Sequence, residues 1–262
     1  MNATKLKVLV IGATGSIGRL AVEEALLQGH AVRALVRDLG RARSLPAAAE
    51  RVVGDLTQVE SLRPAVDGVD AIVFTHGGDG GGKAAAEAVD YGGVRAVLEA
   101  LDGRAVRIAL MTSIGVTNRE GAYNRSTQIH DWKRRGERLV RASGLPYTIV
   151  RPGWFDYNAR DQHRLVFLQG DTRHAGDPSD GVVARQQIAQ VLVHSLTLEA
   201  ARCKTVELVA ERGPAPSDLA PLFEGAHADR LGDLDAVRDA HNMPLASEPA
   251  RVRDALASFT RH

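Results

Sequence analysis

Leu6-Lys7-Val8-Leu9-Val10-Ile11-Gly12-Ala13-Thr14-Gly15-Ser16-Ile17-Gly18 carries an apolar run straight into three glycines. The run Leu6 to Ile11 has the near-continuous apolar character of a strand covered on both faces. The segment Ser16 to Leu27 has helical spacing and stops before Gly29. A strand therefore ends on Gly12 and a helix opens at Ser16. Glycine leaves no Cβ between this backbone and a ligand above it or a strand beneath it, and the helix start offers unpaired N–H groups at the positive end of its dipole. In that order, Gly12, Thr14, Gly15, Ser16, Ile17 and Gly18 mark a dinucleotide pyrophosphate site. A tight turn without a ligand is the plainer alternative.

Outward from this turn, short apolar runs alternate with helical segments, the pattern of βαβ units on a parallel sheet. Further strands are expected at Ala31 to Val36, Arg51 to Val53, Ala71 to Phe74, Val106 to Met111 and Tyr147 to Val150. Helices are expected at Ala84 to Leu101 and Thr127 to Ala142, ending before Gly103 and at Ser143-Gly144. After Pro152 the alternation weakens, with a helix expected at Ala184 to Leu196 and a strand at Thr205 to Val209. Two tail helices, Asp233 to Ala240 and Glu248 to Phe259, would cap the core or meet a second subunit. The expected architecture is α/β, a doubly wound parallel sheet (Rossmann fold) with a small C-terminal substrate-side extension. Residues 1–262 read as one domain, with 151–262 adding the substrate pocket and C-terminal helices.

Composition narrows the partners. With 33 basic and 32 acidic residues the net charge is +1, so no long-range field draws in nucleic acid or an anionic membrane. A small-molecule substrate fits better, and a homo-oligomer stays open. No apolar stretch approaches the roughly 20 residues that cross a bilayer. The single Cys203 forms no internal disulfide, and the N-terminus lacks a signal-peptide pattern; a cytoplasmic setting is expected. No His or Cys spacing suits a metal, so none is expected.

Arg37 follows the second strand, about 20 positions past the glycine turn, where folds selective for NAD place an acid on the ribose 2′-hydroxyl. A guanidinium pairs bidentately with a 2′-phosphate, so Arg37 argues for NADP (NADPH). Asp38 beside it leaves NAD open. Asp55 and Leu56, after the third strand, stand where an adenine contact is expected. Gly77-Gly78-Asp79-Gly80-Gly81-Gly82-Lys83 imitates a phosphate-binding P-loop, but Ala84 replaces the Ser or Thr that would hold Mg²⁺. Its role is read instead as a flap over the cofactor or a flexible surface loop, with Thr75, His76 and Gly77 facing the nicotinamide side.

Gly12 to Gly18, Arg37-Asp38, Gly54-Asp55-Leu56, Asp90-Tyr91, Thr112-Ser113 and Ser143 to Gly153 together resemble an atypical short-chain dehydrogenase/reductase over residues 6 to 155, closest to the NmrA-like and flavin/biliverdin-reductase-like branches. The resemblance implies that Thr112 and Ser113 border the cofactor and that Ser113 orients a substrate carbonyl. It also implies that Lys133 holds the nicotinamide ribose and that Pro152-Gly153 anchor the nicotinamide. The family's proton-donating tyrosine, four residues before the lysine, is here Ile129, which has no proton to give. Replacement acids are sought in Tyr123, His130, Tyr157 and His163, with His130 one helical turn from Lys133. As a bare charge run, Asp131-Trp132-Lys133-Arg134-Arg135 reads as a solvated helix face. Trp154, Phe155, Tyr157 and His163 are expected to line a pocket for a flat or apolar substrate, or else to form a small satellite core. The expected function is an NADP(H)-dependent reductase of a small aromatic or polyketide-like compound. A non-catalytic NADP(H)-binding sensor is the alternative, and a sugar-nucleotide epimerase or dehydratase is disfavoured.

Overall fold

A computed structural model describes residues 5–78 and 80–260; Met1 to Thr4, Asp79 of the glycine loop, Arg261 and His262 lie outside the described residues. The first half follows the expected alternation: β1 (Lys7–Ile11), α1 (Ser16–Leu27), β2 (Ala31–Val36), β3 (Glu50–Val53), α2 (Val59–Val66) and β4 (Ala71–Phe74). A broken helix follows, made of α3 (Gly82–Ala85), a π-turn at Ala86–Tyr91 and α4 (Gly92–Leu101). Then come β5 (Arg107–Met111), α5 (Ala122–Thr127), α6 (Ile129–Ala142) and β6 (Tyr147–Pro152). The remainder comprises β7 (Trp154–Phe155), β8 (Arg164–Leu168), β9 (Val182–Val183), α7 (Arg185–His194), β10 (Lys204–Glu211), α8 (Ala220–Glu224) and α9 (Ala250–Phe259).

Eight strands form one sheet in the order β3-β2-β1-β4-β5-β6-β10-β8, parallel except for β8 against β10. The order reverses between β1 and β4, and ligands of open α/β sheets bind in the crevice at such a switch point. In β1, Val8 and Val10 enter the apolar cluster with α1 and α7, while Leu9 and Ile11 enter the opposite cluster with α2, α4, α6 and α9. The period of two thus makes one five-residue strand serve both layers. The sheet is the doubly wound Rossmann arrangement read from the sequence. No helix among the described residues is long and apolar enough to cross a membrane.

Two expectations are corrected. The helix expected from Thr127 to Ala142 is interrupted at Gln128, whose φ of +57° ends α5 and starts α6. Asp233 to Ala240 is not helical. Its side chains are tied instead to α6. The charge run on that helix is not solvated: Arg134, Arg135, Arg138 and Arg141 are buried. They pair with carboxylates of the C-terminal segment, Arg134 and Arg138 with Asp235, Arg135 with Glu248, and Arg141 with Asp229. A buried guanidinium demands partners for its donors, and the tail's backbone follows the positions of those carboxylates rather than a helix.

At the network's centre Arg151 of β6 is fully buried and gripped by Glu137 and Asp239, both at 2.7 Å. Burial alone would push both carboxyls up, but the Arg151 guanidinium holds Glu137 below its ordinary range and Asp239 down to about 2. Glu207 on β10 is different. Its burial, with the charge of Asp171 adding, pushes the carboxyl up to about 8 although Arg151 lies 3.3 Å away. The folded protein therefore holds a proton on Glu207 that the unfolded chain releases near pH 4.5, and this contribution to stability is lost as pH rises toward 8. Burial lowers the His76 pKa to about 4 from 6.5, which opposes that trend only below about pH 6.5. Between pH 6.5 and 8, stability from urea denaturation should fall with pH, by at most about 1.4 kcal/mol per unit for one proton. The Glu207→Gln variant should flatten that slope, and an unchanged slope would refute the assignment.

Candidate cofactor and active site

The glycine turn is shaped by backbone crowding. Gly12 has φ +81°, and a Cβ there would stand 2.7 Å from the His76 amide nitrogen. A Cβ on Gly18 would stand 2.0 Å from the Gly12 carbonyl oxygen, and that oxygen accepts the Gly15 amide at 2.8 Å. The turn is thereby clamped between α1 and the end of β4. Gly15 caps α1 with no side-chain hydrogen bond, and the first turn carries no acidic residue. Its amides and positive dipole end are left for an anionic ligand.

Above the sheet's carboxyl edge lies a cavity of about 700 Å³. Its walls bring together Gly15, Ser16 and Ile17 of the turn with Thr75, His76 and Gly77 after β4. Thr112 and Ser113 come from the loop that directly follows β5, while Tyr123 comes from α5. Ile129, His130 and Lys133 come from α6, and Pro152, Gly153, Trp154 and Phe155 close the side beyond β6. Gly12 and Gly18 lie in the packing beneath the turn, Thr14 is exposed, and none of the three lines the wall. Arg37 is exposed after β2, close enough to Asp55 for its charge to help hold that carboxyl below its ordinary range, after the stronger effect of the Thr57 amide and hydroxyl. Leu56 packs against the core beside Gly93 rather than facing the cavity.

Two aromatic-segment expectations fail. Tyr157 and His163 are not in the cavity wall. The chain pairs β7 with β9 and then runs away toward β8, so Tyr157 remains 65% exposed against Trp154 while His163 leads into the sheet edge. The loop between β8 and β9 takes their place, supplying Arg173, His174, Ala175, Gly176 and Asp180. Asn118 and Asn124 also line the wall. Sequence reasoning missed all of these. Gly170, Gly176 and Gly181, all with positive φ, were the only signal of a shaped loop there.

The polar groups of the cavity divide into committed and uncommitted ones. The Thr112 hydroxyl donates to Glu137 at 2.7 Å, which ties the β5 terminus to the buried ionic network. Lys133 donates to Asp90 at 2.7 Å, and the other Asp90 oxygen accepts the Gly78 amide. The π-turn places Asp90 between α6 and the glycine loop, and such turns recur at functional sites. His76 donates to the Val89 carbonyl. By contrast, the Ser113 hydroxyl oxygen and His130 Nδ1 are buried with no hydrogen-bond partner among the described residues. Burial lowers the His130 pKa, Asp171 opposing and Lys133 adding to the effect. Tyr123 meets its ring edge-on at 5.4 Å. Ile129 is buried in the core as well as bordering the cavity, so the place of the missing tyrosine is filled by packing.

Residues 12–199 match the model of the NAD(P)H-binding family. The chain belongs to that family. As an NAD(P)H-binding protein it is similar to relatives of the atypical short-chain dehydrogenase/reductase type. It is 32% identical to the photosystem II assembly factor Ycf39 of Cyanophora paradoxa, covering 84% of this chain and 68% of the relative. It is 26% identical to sanguinarine reductase of Eschscholzia californica, over 85% and 96% of the two chains. Among solved structures, the anaerobillin reductase ChuY of Escherichia coli O157:H7 has the same fold, with TM-score 0.61 and 22% identity over 80% and 100% of the chains. The NAD(P)H-binding cradle fits a dinucleotide on its own geometry: the uncapped start of α1 at Gly15 and the unpartnered Ser113 hydroxyl border one cavity.

Proposed function

We propose that this protein is an NADPH-dependent reductase of a small aromatic compound. The observation that carries the reading is the Ser113 hydroxyl, buried and without a partner in the same cavity as the glycine turn. The cofactor would supply a hydride to the acceptor. Backbone amides of Gly15, Ser16 and Ile17 would hold the pyrophosphate, Lys133 would serve the ribose, and Pro152-Gly153 would back the nicotinamide. Ser113 donates a hydrogen bond to the acceptor's carbonyl oxygen, stabilising charge that develops there. His130, more enclosed than Tyr123 and with its Nδ1 unpartnered among the described residues, hydrogen-bonds the same oxygen and is the residue we favour for relaying the proton: its imidazolium, made more acidic by burial, would give the proton up and be recharged from solvent. The similarity to sanguinarine reductase supports a reductase.

The reading is tested by loss of 340 nm absorbance against a panel of quinones, flavins and aromatic ketones. Turnover of at least one class is expected. Tight NADPH binding with no acceptor oxidising it would leave the second reading, a nucleotide-binding sensor, which Ile129 and the similarity to Ycf39 favour. The choice of NADPH over NADH rests on Arg37. Charge-assisted hydrogen bonds to a 2′-phosphate are worth about 1.5–3 kcal/mol, so Arg37→Ala should weaken NADPH by roughly tenfold to a hundredfold and NADH little. Calorimetric titration of both nucleotides checks this, and equal losses would refute it.

A further inference from the structure

The wall facing the glycine turn carries positive charge that the fold does not neutralise. Arg173 borders the cavity, and among the described residues its side chain hydrogen-bonds only the Asp180 carbonyl, from Nη1 at 3.2 Å. No carboxylate pairs with it among the described residues. The same Nη1 would lie 3.3 Å from a Cβ on Gly181, whose carbonyl packs against Gly153 and accepts the Trp154 amide. The guanidinium thus stands beside Gly181, the residue packed against Gly153 in the same cavity wall. The residue also borders the groove along β8, but this contact fixes its charged end at the Gly153 side.

His174, next in the chain, also lines the cavity, its Nε2 3.4 Å from the Thr117 hydroxyl and 3.8 Å from Asp171. The acids nearby are spent on backbone. Asp171 is 1% exposed and accepts the Gly115 and Thr117 amides at 2.6 and 2.7 Å. Asp180, which lines the wall, accepts the Ala175 and Gly176 amides, both at 2.7 Å. The cavity wall thus holds a guanidinium fork with no carboxylate partner and an imidazole, together with the aromatic side chains of Tyr123, Trp154 and Phe155, the last with the Arg185 guanidinium over its ring at 5.3 Å.

We propose that the acceptor is an aromatic carbonyl compound that also bears a carboxylate: its carbonyl at Ser113 takes the hydride, its ring lies in the aromatic part of the cavity with Trp154, and its carboxylate, unchanged by the reaction, is held by Arg173 with His174 beside it. This rests on the reductase reading and names its substrate class. A planar fork matches a carboxylate with two parallel hydrogen bonds, and partial desolvation strengthens the pair.

The test uses 2-naphthoate and its neutral counterpart 2-naphthamide, titrated calorimetrically into the full chain loaded with NADP⁺. The acid should bind at least tenfold more tightly than the amide. Arg173→Met, which keeps the apolar stem, should bring that ratio close to one while leaving NADP⁺ affinity within about twofold, and His174→Gln should reduce it partway. Equal affinities in the wild-type protein, or binding of neither probe to the loaded protein, would overturn the proposal and leave the reductase reading standing. Undiminished discrimination in Arg173→Met would overturn it too. A loss of NADP⁺ affinity in that variant matching its loss of acid affinity would give Arg173 to the cofactor instead. Failure of the wild-type chain to bind NADP⁺ at all would overturn the parent reading, which separates the two failures.

Discussion

Arg151→Leu is expected to lower the free energy of unfolding by about 3–5 kcal/mol, the cost of removing one partner from a buried ion pair. Its loss strands two carboxylates, Glu137 and Asp239, that now sit fully or almost fully enclosed at 2.7 Å from the guanidinium. Neither has an alternative large enough to compensate: Arg141 reaches Glu137 only at 3.3 Å and is shared with Asp229. Urea denaturation at pH 7 measures the loss as a lower midpoint at unchanged slope. A loss below about 1 kcal/mol would mean that water or rearrangement already solvates the site. The triple variant Arg151→Leu, Glu137→Leu, Asp239→Leu separates charge from packing, because apolar replacement of a buried ionic triad is often neutral or stabilising, and Arg141 keeps Asp229 as its partner. Recovery in the triple variant is the expected result.

The network matters to chemistry because it ends at the cavity. Glu137 binds Arg151 on one side and accepts the Thr112 hydroxyl on the other, and Thr112 directly precedes Ser113. Asp171 joins the same system through its amide on Glu207, and its carboxylate fixes the loop at Gly115 and Thr117. The serine that carries the functional reading therefore sits on backbone held from both ends by buried charge. Such a support holds reacting groups in place without flexible surface contacts.

The sequence disclosed what depends on local rules. β2 and β4 have the expected bounds because their apolar runs are closed by Gly, Asp and Arg residues, and α1 begins and ends where its glycines require. The cavity was legible wherever a motif carried it: the glycine turn, Thr112-Ser113, Lys133 and Pro152-Gly153 converge on one wall system. What stayed hidden depends on contacts distant in sequence. Arg134 and Arg135 look solvated because helical spacing cannot reveal that acids about a hundred residues later will bury them. The loop holding Arg173 carries no spacing motif, and its place over the cavity follows from β9 pairing with β7. Tyr157 and His163 were misplaced for the same reason, since nearness in sequence to Gly153 says nothing about where the chain turns.

Gly18→Ala should abolish tight nucleotide binding and also destabilise the fold, whereas Gly15→Ala should do the first without the second. A Cβ on Gly18 would lie 2.0 Å from the Gly12 carbonyl oxygen and 2.8 Å from the Thr75 hydroxyl, contacts that only a shift of α1 or the turn relieves. Overpacking of this kind costs about 1–3 kcal/mol, and a displacement near 1 Å at a binding geometry costs on the order of a hundredfold. Both NADPH and NADH should weaken together, unlike the selective loss expected for Arg37→Ala, because the turn meets the part of the ligand they share. Gly15 has ordinary extended angles, φ −74° and ψ 170°, and a Cβ there meets only the Gly12 carbonyl oxygen at 3.1 Å. Alanine at Gly15 should therefore melt within a few degrees of the wild type. Its methyl group would point where the pyrophosphate must approach the backbone, so the same hundredfold loss is expected in calorimetric titration. Wild-type affinity in Gly15→Ala would show that no ligand comes close at that glycine, and the turn would then be a packing device alone.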